Sequence, residues 1–262
     1  MSKNVAVIIC AAGASSRFGG STTLTTGGKR KKPFVDVAGR AAFLRSIELF
    51  ADRDDVKQIL LGIPKEDEEL VNVKWGTNLQ FFNVKIFFGG AERFETVTKA
   101  LELVRDDIDL IAVHDAVRCC VTKEWIEKVI STAAQTGAAI LACPITATIK
   151  QVKDNTIIKT IDRTGIYEAQ TPQVFDAKLL KKAYENLKNL DKGKISVDST
   201  GSPRDDAQLV EAIGEKVSIV ETDFSNIKIT QQSDVAIAEA IIKSRPKPKP
   251  KGYVGPYGEA QW

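Results

Sequence analysis

Apolar and polar positions alternate along this chain with two different periods. The run "NVAVIICA" (4–11) is apolar at nearly every position and rich in β-branched residues, which predicts a strand buried on both faces. "FLRSIELFA" (43–51) instead sets Phe43, Leu44, Ile47 and Phe50 on one helical face. "KQILLGI" (57–63) predicts a second strand, "EDEELV" (66–71) a helix and "VKIFF" (84–88) a third strand. In "ERFETVTKALELV" (92–104), Val97, Ala100, Leu101 and Val104 recur at helical spacing. A fourth strand at "DLIAV" (109–113), a helix at "EWIEKVISTAA" (124–134) and a fifth strand at "AAILACP" (138–144) continue the rhythm.

This alternation predicts an α/β fold, a mostly parallel sheet covered by helices on both faces. The rhythm then changes. "TIKQVKDNTIIKTIDR" (148–163) alternates about Asp154-Asn155 and predicts a β-hairpin projecting as an arm over about 145–167. Helices follow at 176–189 and 205–214, strands at "KVSIVE" (216–221) and "NIKIT" (226–230), and a last helix at 233–244. Residues 1–243 therefore read as one domain. Residues 244–262, with alternating Pro and Lys and then glycines, read as a solvated tail.

Composition narrows the function. The 262 residues are 43% apolar and 27% charged, with a net charge of +3, an ordinary globular balance without the basic excess of a nucleic-acid binder. No apolar run reaches the ~18–20 residues of a membrane span, and the first ten residues do not form a secretory signal. Four cysteines without zinc-like spacing read as reduced thiols in a cytoplasmic protein. A single histidine, His114, leaves little room for a histidine triad or a histidine metal cluster, so Lys, Arg, Asp and Thr are the candidates for chemistry.

In parallel sheets, ligands gather beyond the carboxyl ends of the strands. Two segments begin there. After the first strand, Ala11-Ala12-Gly13-Ala14 lead to Arg17; small residues let main-chain N–H groups approach an anion closely, although the same residues also serve plain packing. The lysine cluster ending at Lys31-Lys32 closes that loop, and a lysine beside a polyphosphate acts as a point charge. At the end of the fourth strand, "VHDAVR" offers Asp115 for a divalent cation or a hydroxyl, and Arg118 for a phosphate, or else the two form a structural pair. Neither a Walker A loop nor a GxGxxG fingerprint occurs.

Taken in order, "AAGASSR", "KKPFVDVAGR", "GGAERFETV", "VHDAVR", "PITATIK", "DRTGIYEAQTPQVF", "DDAQLVE" and "NIKIT" resemble the cytidylyltransferases that activate sugar-alcohol phosphates, above all the 2-C-methyl-D-erythritol 4-phosphate cytidylyltransferase family of isoprenoid biosynthesis. The resemblance implies a Rossmann-like nucleotidyltransferase fold and a homodimer formed through the arm. It implies condensation of CTP with a small phosphorylated polyol, with Mg²⁺ present and pyrophosphate released. It gives Ala11, Ala12, Gly13, Ala14 and Arg17 to the triphosphate, and Lys32 to the α-phosphate, with Lys31 as the alternative clamp. Gly89, Gly90, Ala91 and Thr96 would recognise cytosine and ribose. Asp115, Arg118, Thr171 and Lys228 would surround the substrate phosphate and the reacting phosphorus, with Asp115 the one candidate metal ligand. Thr148 and Arg163, on the arm, would reach the partner's site.

The match departs in places. Arg204 stands where a threonine is usual before "DDA", Cys119 replaces a proline and Ala147 an aspartate. Two alternatives stay open on sequence: a ribitol-5-phosphate cytidylyltransferase, and a catalytically silent nucleotide-binding homologue.

Overall fold

The computed structural model describes residues 3–13, 32–189, 195, 197 and 202–246. A seven-stranded sheet forms its centre. In chain order the elements are β1 (Val5–Cys10), the short pair β2 (Asp36–Val37) and β3 (Arg40–Ala41), α1 (Ala42–Ala51), β4 (Val56–Ile63), α2 (Glu68–Phe81), β5 (Val84–Phe88), α3 (Arg93–Leu101) and β6 (Leu110–Asp115). There follow α4 (Lys123–Thr136), β7 (Ala138–Pro144), β8 (Ile149–Lys153), β9 (Thr156–Ile161), β10 (Tyr167–Asp176), α5 (Ala177–Glu185), α6 (Ala207–Ala212), β11 (Ser218–Glu221) and α7 (Ser233–Ser244). The sheet order is β11-β7-β10-β6-β1-β4-β5.

The near-continuous apolar strands are explained by burial on both faces. Val5, Val7 and Ile9 of β1 enter one core with α1, α2 and α4, while Ala6 and Ile8 enter the other with α3, α5 and α6. Leu110 and Ala112 of β6 divide from Ile111 and Val113 in the same way, as a period of two requires. A third, smaller cluster seats Ala238 of α7 against Val35, Val37 and Ile229.

Three departures from the sequence reading matter. First, β10 was not foreseen: it inserts between β6 and β7, antiparallel to both. Its pairing with β7 shifts register between Gln170 and Gln173, where the Thr171–Pro172 peptide is cis. Second, "NIKIT" is not a strand. It runs as irregular chain pinned by Asn226 and Ile229, both fully buried, with the Ile229 amide donating to the Val117 carbonyl at 3.1 Å. Third, α2 extends far beyond the predicted hexapeptide, because Val71 and Leu79 alone among its residues are fully covered and its periodicity is faint.

The arm forms as expected. Among the described residues β8 and β9 pair only with each other, turning through Asp154 and Asn155 at positive φ (49° and 58°). The predicted tail lies outside the described residues beyond position 246.

Candidate active site

The carboxyl edge of the sheet brings distant segments together through register. Cys10 of β1 pairs with Gly62 of β4 on one side and with Asp115 of β6 on the other. Beyond Cys10 the Ala11 amide donates to the Gly62 carbonyl at 2.9 Å, and beyond β5 the Gly89 amide donates to the Ile63 carbonyl at 2.9 Å. These bonds fix the two Gly/Ala turns side by side. A Cβ on Gly89 would stand 2.4 Å from Ala12 Cβ and 2.7 Å from Thr96 Oγ1, so only glycine permits this approach. Thr96 Oγ1 accepts from the Gly90 amide at 3.0 Å, tying the turn to α3.

Lys32 is positioned from behind. It opens a single 3₁₀ turn, Lys32–Phe34, in which Pro33 and Phe34 are buried. The Phe34 ring stacks on Trp75 at 5.4 Å and meets Phe43 edge-on at 5.6 Å. Aromatic packing of this kind contributes about 0.5–1.5 kcal/mol per pair beyond the area buried. Lys32 therefore leaves a rigid anchor.

Lys32, Lys228, Asp115, Thr96 and the turn residues Ala11 and Gly13 line one cavity of about 170 Å³. Asp115 is its electrostatic centre. Oδ2 lies 2.7 Å from Lys228 Nζ and 3.9 Å from Arg118 Nε, and Oδ1 lies 3.1 Å from Arg93 Nε. Burial alone would push this carboxyl up; Lys228, Arg93 and Arg118 together outweigh burial and hold it well below the usual carboxylate range. With both oxygens engaged by cations, Asp115 does not fit the expected role of metal ligand. No group of three or more His, Cys, Asp or Glu suited to a metal occurs among the described residues.

Other expected residues fall outside this cavity. The Arg118 side chain is only 6% exposed, its Nη1 donating to the Asn226 carbonyl at 2.7 Å, so it braces the segment that carries Lys228. Thr171 Oγ1 accepts the Asp115 amide at 3.0 Å and lies 3.2 Å from His114 Nδ1, pinning the end of β6. Gly90 and Ala91 sit on the turn before α3. Thr148 and Arg163 are exposed on the arm. Ala14, Arg17 and Lys31 lie outside the described residues.

Besides the apolar Pro33 and Val117, two wall residues with reactive or charged side chains were passed over in the sequence. Cys10 lines the cavity, but burial pushes its thiol up to about 12, which leaves it protonated and unreactive near neutral pH. Arg93 also lines it, gripping Asp115 and, through Nη1 at 2.7 Å, the fully buried Asp206. A signal for Arg93 did exist. A cation at the first position of a helix opposes the helix dipole, so it needs carboxylates from elsewhere to hold it there.

The comparisons decide the relationship. The model of the 2-C-methyl-D-erythritol 4-phosphate cytidylyltransferase family matches residues 5–244. The chain belongs to that family. A cytidylyltransferase of this name from Endomicrobium trichonymphae is 41% identical over 240 residues, spanning 91% of this chain and 99% of the relative. Another from Rhodopirellula baltica is 35% identical, spanning 91% and 95%. Among solved structures, the 4-diphosphocytidyl-2C-methyl-D-erythritol synthase of Anaerococcus prevotii is similar with a TM-score of 0.73 at 27% identity, covering 93% of this chain and 100% of that one. The Thermus thermophilus cytidylyltransferase gives 0.69 at 26%, with the same coverage. The α/β nucleotidyltransferase fold agrees with these neighbours, and the ribitol alternative is not favoured.

Proposed function

We propose that this chain joins 2-C-methyl-D-erythritol 4-phosphate to CTP. A phosphate oxygen of the polyol attacks the α-phosphorus of CTP, forming the new P–O bond. The bond from that phosphorus to the bridging oxygen breaks, and pyrophosphate leaves with its electrons. The observation that carries this reading is the convergence of Lys32 and Lys228 on one cavity beside the main chain of Ala11 to Gly13, in a chain of this family.

The chemistry suits the side chains present. The attacking phosphate is already an anion near neutral pH, so no general base is needed. The barrier is repulsion between anions and charge growing on the α-phosphoryl oxygens, which fixed cations lower. Lys32 and Lys228 take that role, joined by Arg17, which lies outside the described residues. Thr96, Gly89, Gly90 and Ala91 hold cytosine and ribose. Arg118 and Thr171 act on the polyol phosphate by setting the segments that carry Lys228 and Asp115. Since Asp115 is committed to three cations, magnesium enters with the triphosphate, as part of the substrate.

A homodimer completes the reading. Among the described residues the β8–β9 ribbon pairs with no other strand, and Val152, Ile157 and Ile158 on it are 53–60% exposed. A lone two-stranded ribbon is marginal in water, so a second copy of the chain is its natural cover, bringing Thr148 and Arg163 to the partner's cavity. All four cysteines are unpaired, which suits a cytoplasmic location. No helix among the described residues is long and apolar enough to cross a membrane.

The test is pyrophosphate release with CTP, ATP, GTP or UTP against methylerythritol phosphate and ribitol 5-phosphate. Release confined to CTP with methylerythritol phosphate is expected. Faster turnover of ribitol phosphate, or none with any pair, refutes the assignment.

A further inference from the structure

The ion pairs around Asp115 extend away from the cavity. Arg93 spans two carboxylates, with Nε 3.1 Å from Asp115 Oδ1 and Nη1 2.7 Å from Asp206 Oδ2. Asp206 is fully buried, and its other oxygen accepts from the Tyr184 hydroxyl. Its backbone is fixed as well: the Asp206 and Ala207 amides both donate to Gln173 Oε1 at 3.1 Å. A buried carboxylate held at this many points is a stationary anchor. Lys228, by contrast, has a 41% exposed side chain and a long flexible stem. The only contact that fixes its ammonium among those described is the 2.7 Å bond to Asp115 Oδ2. The geometry thus forms a chain from a rigid end to a mobile one: Tyr184, Asp206, Arg93, Asp115, Lys228.

We infer that Arg93 is a positioning residue for cytidylyl transfer: anchored on Asp206, it fixes Asp115, and Asp115 aims the ammonium of Lys228. The planar guanidinium is suited to this task, because its Nε and Nη1 edges address two acceptors in fixed relative directions. A lysine at the same place would keep the charge but could not span both carboxylates at once. Charge also requires the arrangement. Arg93, Arg118 and Lys228 would repel one another in a small space, and Asp115 and Asp206 between them offset two of the three charges. The third, Arg118, meets Glu168 Oε1 at 3.4 Å, so three carboxylates face the three cations and hold them close together.

The inference rests on the transferase reading above, so the first measurement is wild-type turnover with CTP and methylerythritol phosphate; its absence would sink that reading, not this one. Given turnover, Arg93→Lys is measured in the wild-type background and in a Lys228→Gln background. An aiming role predicts that kcat falls about tenfold in the first, an ordinary coupling for residues in one ion-pair network, with KM for CTP little changed, and that nothing further is lost in the second. Equal losses in both backgrounds, no loss at all, or a rise in KM alone would overturn it. If Arg93→Lys does not fold, Tyr184→Phe repeats the cycle by deleting one hydroxyl behind the cavity wall. About a threefold fall in kcat that vanishes in the Lys228→Gln background is then expected; equal or absent effects would overturn the inference equally.

Discussion

His114 lets the interior of this protein be tested by acid. It is the single histidine, fully buried, next to Asp115, with Nδ1 3.2 Å from Thr171 Oγ1 and its ring edge-on to Phe50 at 5.3 Å. Burial pulls its pKa down to about 3, a loss that nearby Asp115 only partly offsets. The unfolded chain keeps a pKa near ~6.5. Above that value both states are neutral and histidine contributes nothing to pH dependence. Below it the unfolded state takes up a proton that the folded state refuses, so stability falls as pH drops from about 6.5 towards 3. The linkage relation gives about 1.4 kcal/mol lost at pH 5.5 and about 2 kcal/mol at pH 5. His114→Asn keeps a polar atom near Nδ1 and removes the titration. Urea unfolding of both proteins between pH 7.5 and 5 should therefore show wild type losing about 2 kcal/mol more than the variant. Asp115 does not confuse the comparison. Its depressed pKa stabilises above the unfolded carboxylate value and is lost only in stronger acid, in both proteins. Parallel stability curves would refute a buried, neutral His114.

Other perturbations address the cavity and the arm directly. Lys228→Ala and Lys32→Ala should each lower kcat by roughly 10²–10³ while the thermal midpoint stays near wild type, as calorimetry would report. Gly89→Ala drives a methyl to 2.4 Å from Ala12 Cβ; displacing that turn should cut kcat/KM for CTP by about 10–100-fold, and an unchanged value would deny the turn its part in nucleotide binding. Replacing Val152, Ile157 and Ile158 together by Ser should shift light-scattering mass from dimer to monomer, and an intact dimer would remove the arm from the interface.

Much of the sheet could be read from periodicity because β1, β4 and β6 are apolar on both faces and sit at its centre. β10 escaped for a physical reason. "YEAQTPQVFD" carries Gln170, Thr171 and Gln173 inward, and their polar atoms are matched only by distant partners such as Thr222, Asn226 and the Asp206 amide. Its proline also reads against a central strand. "NIKIT" failed in the opposite direction: its β-branched alternation is local, whereas its path is set by Val117 and Gln170 far away in sequence. Lys32 and Lys228 were visible because each sits in a recognisable motif, whereas Arg93, the third cation of the cavity, was not singled out. What joins them was not visible either. Tyr184 and Asp206 meet from positions 22 residues apart, and neither carries a local mark of its role.

The aromatic seat beneath Lys32 has a consequence for engineering. Phe34 stacks on Trp75 at 5.4 Å, meets Phe43 edge-on at 5.6 Å, and Phe43 in turn meets Trp75 at 5.1 Å. Each ring braces the other two, so truncating any one loosens the footing of a lysine that none of them needs to touch. A designer who polishes this trio is therefore tuning turnover from a place the nucleotide never visits.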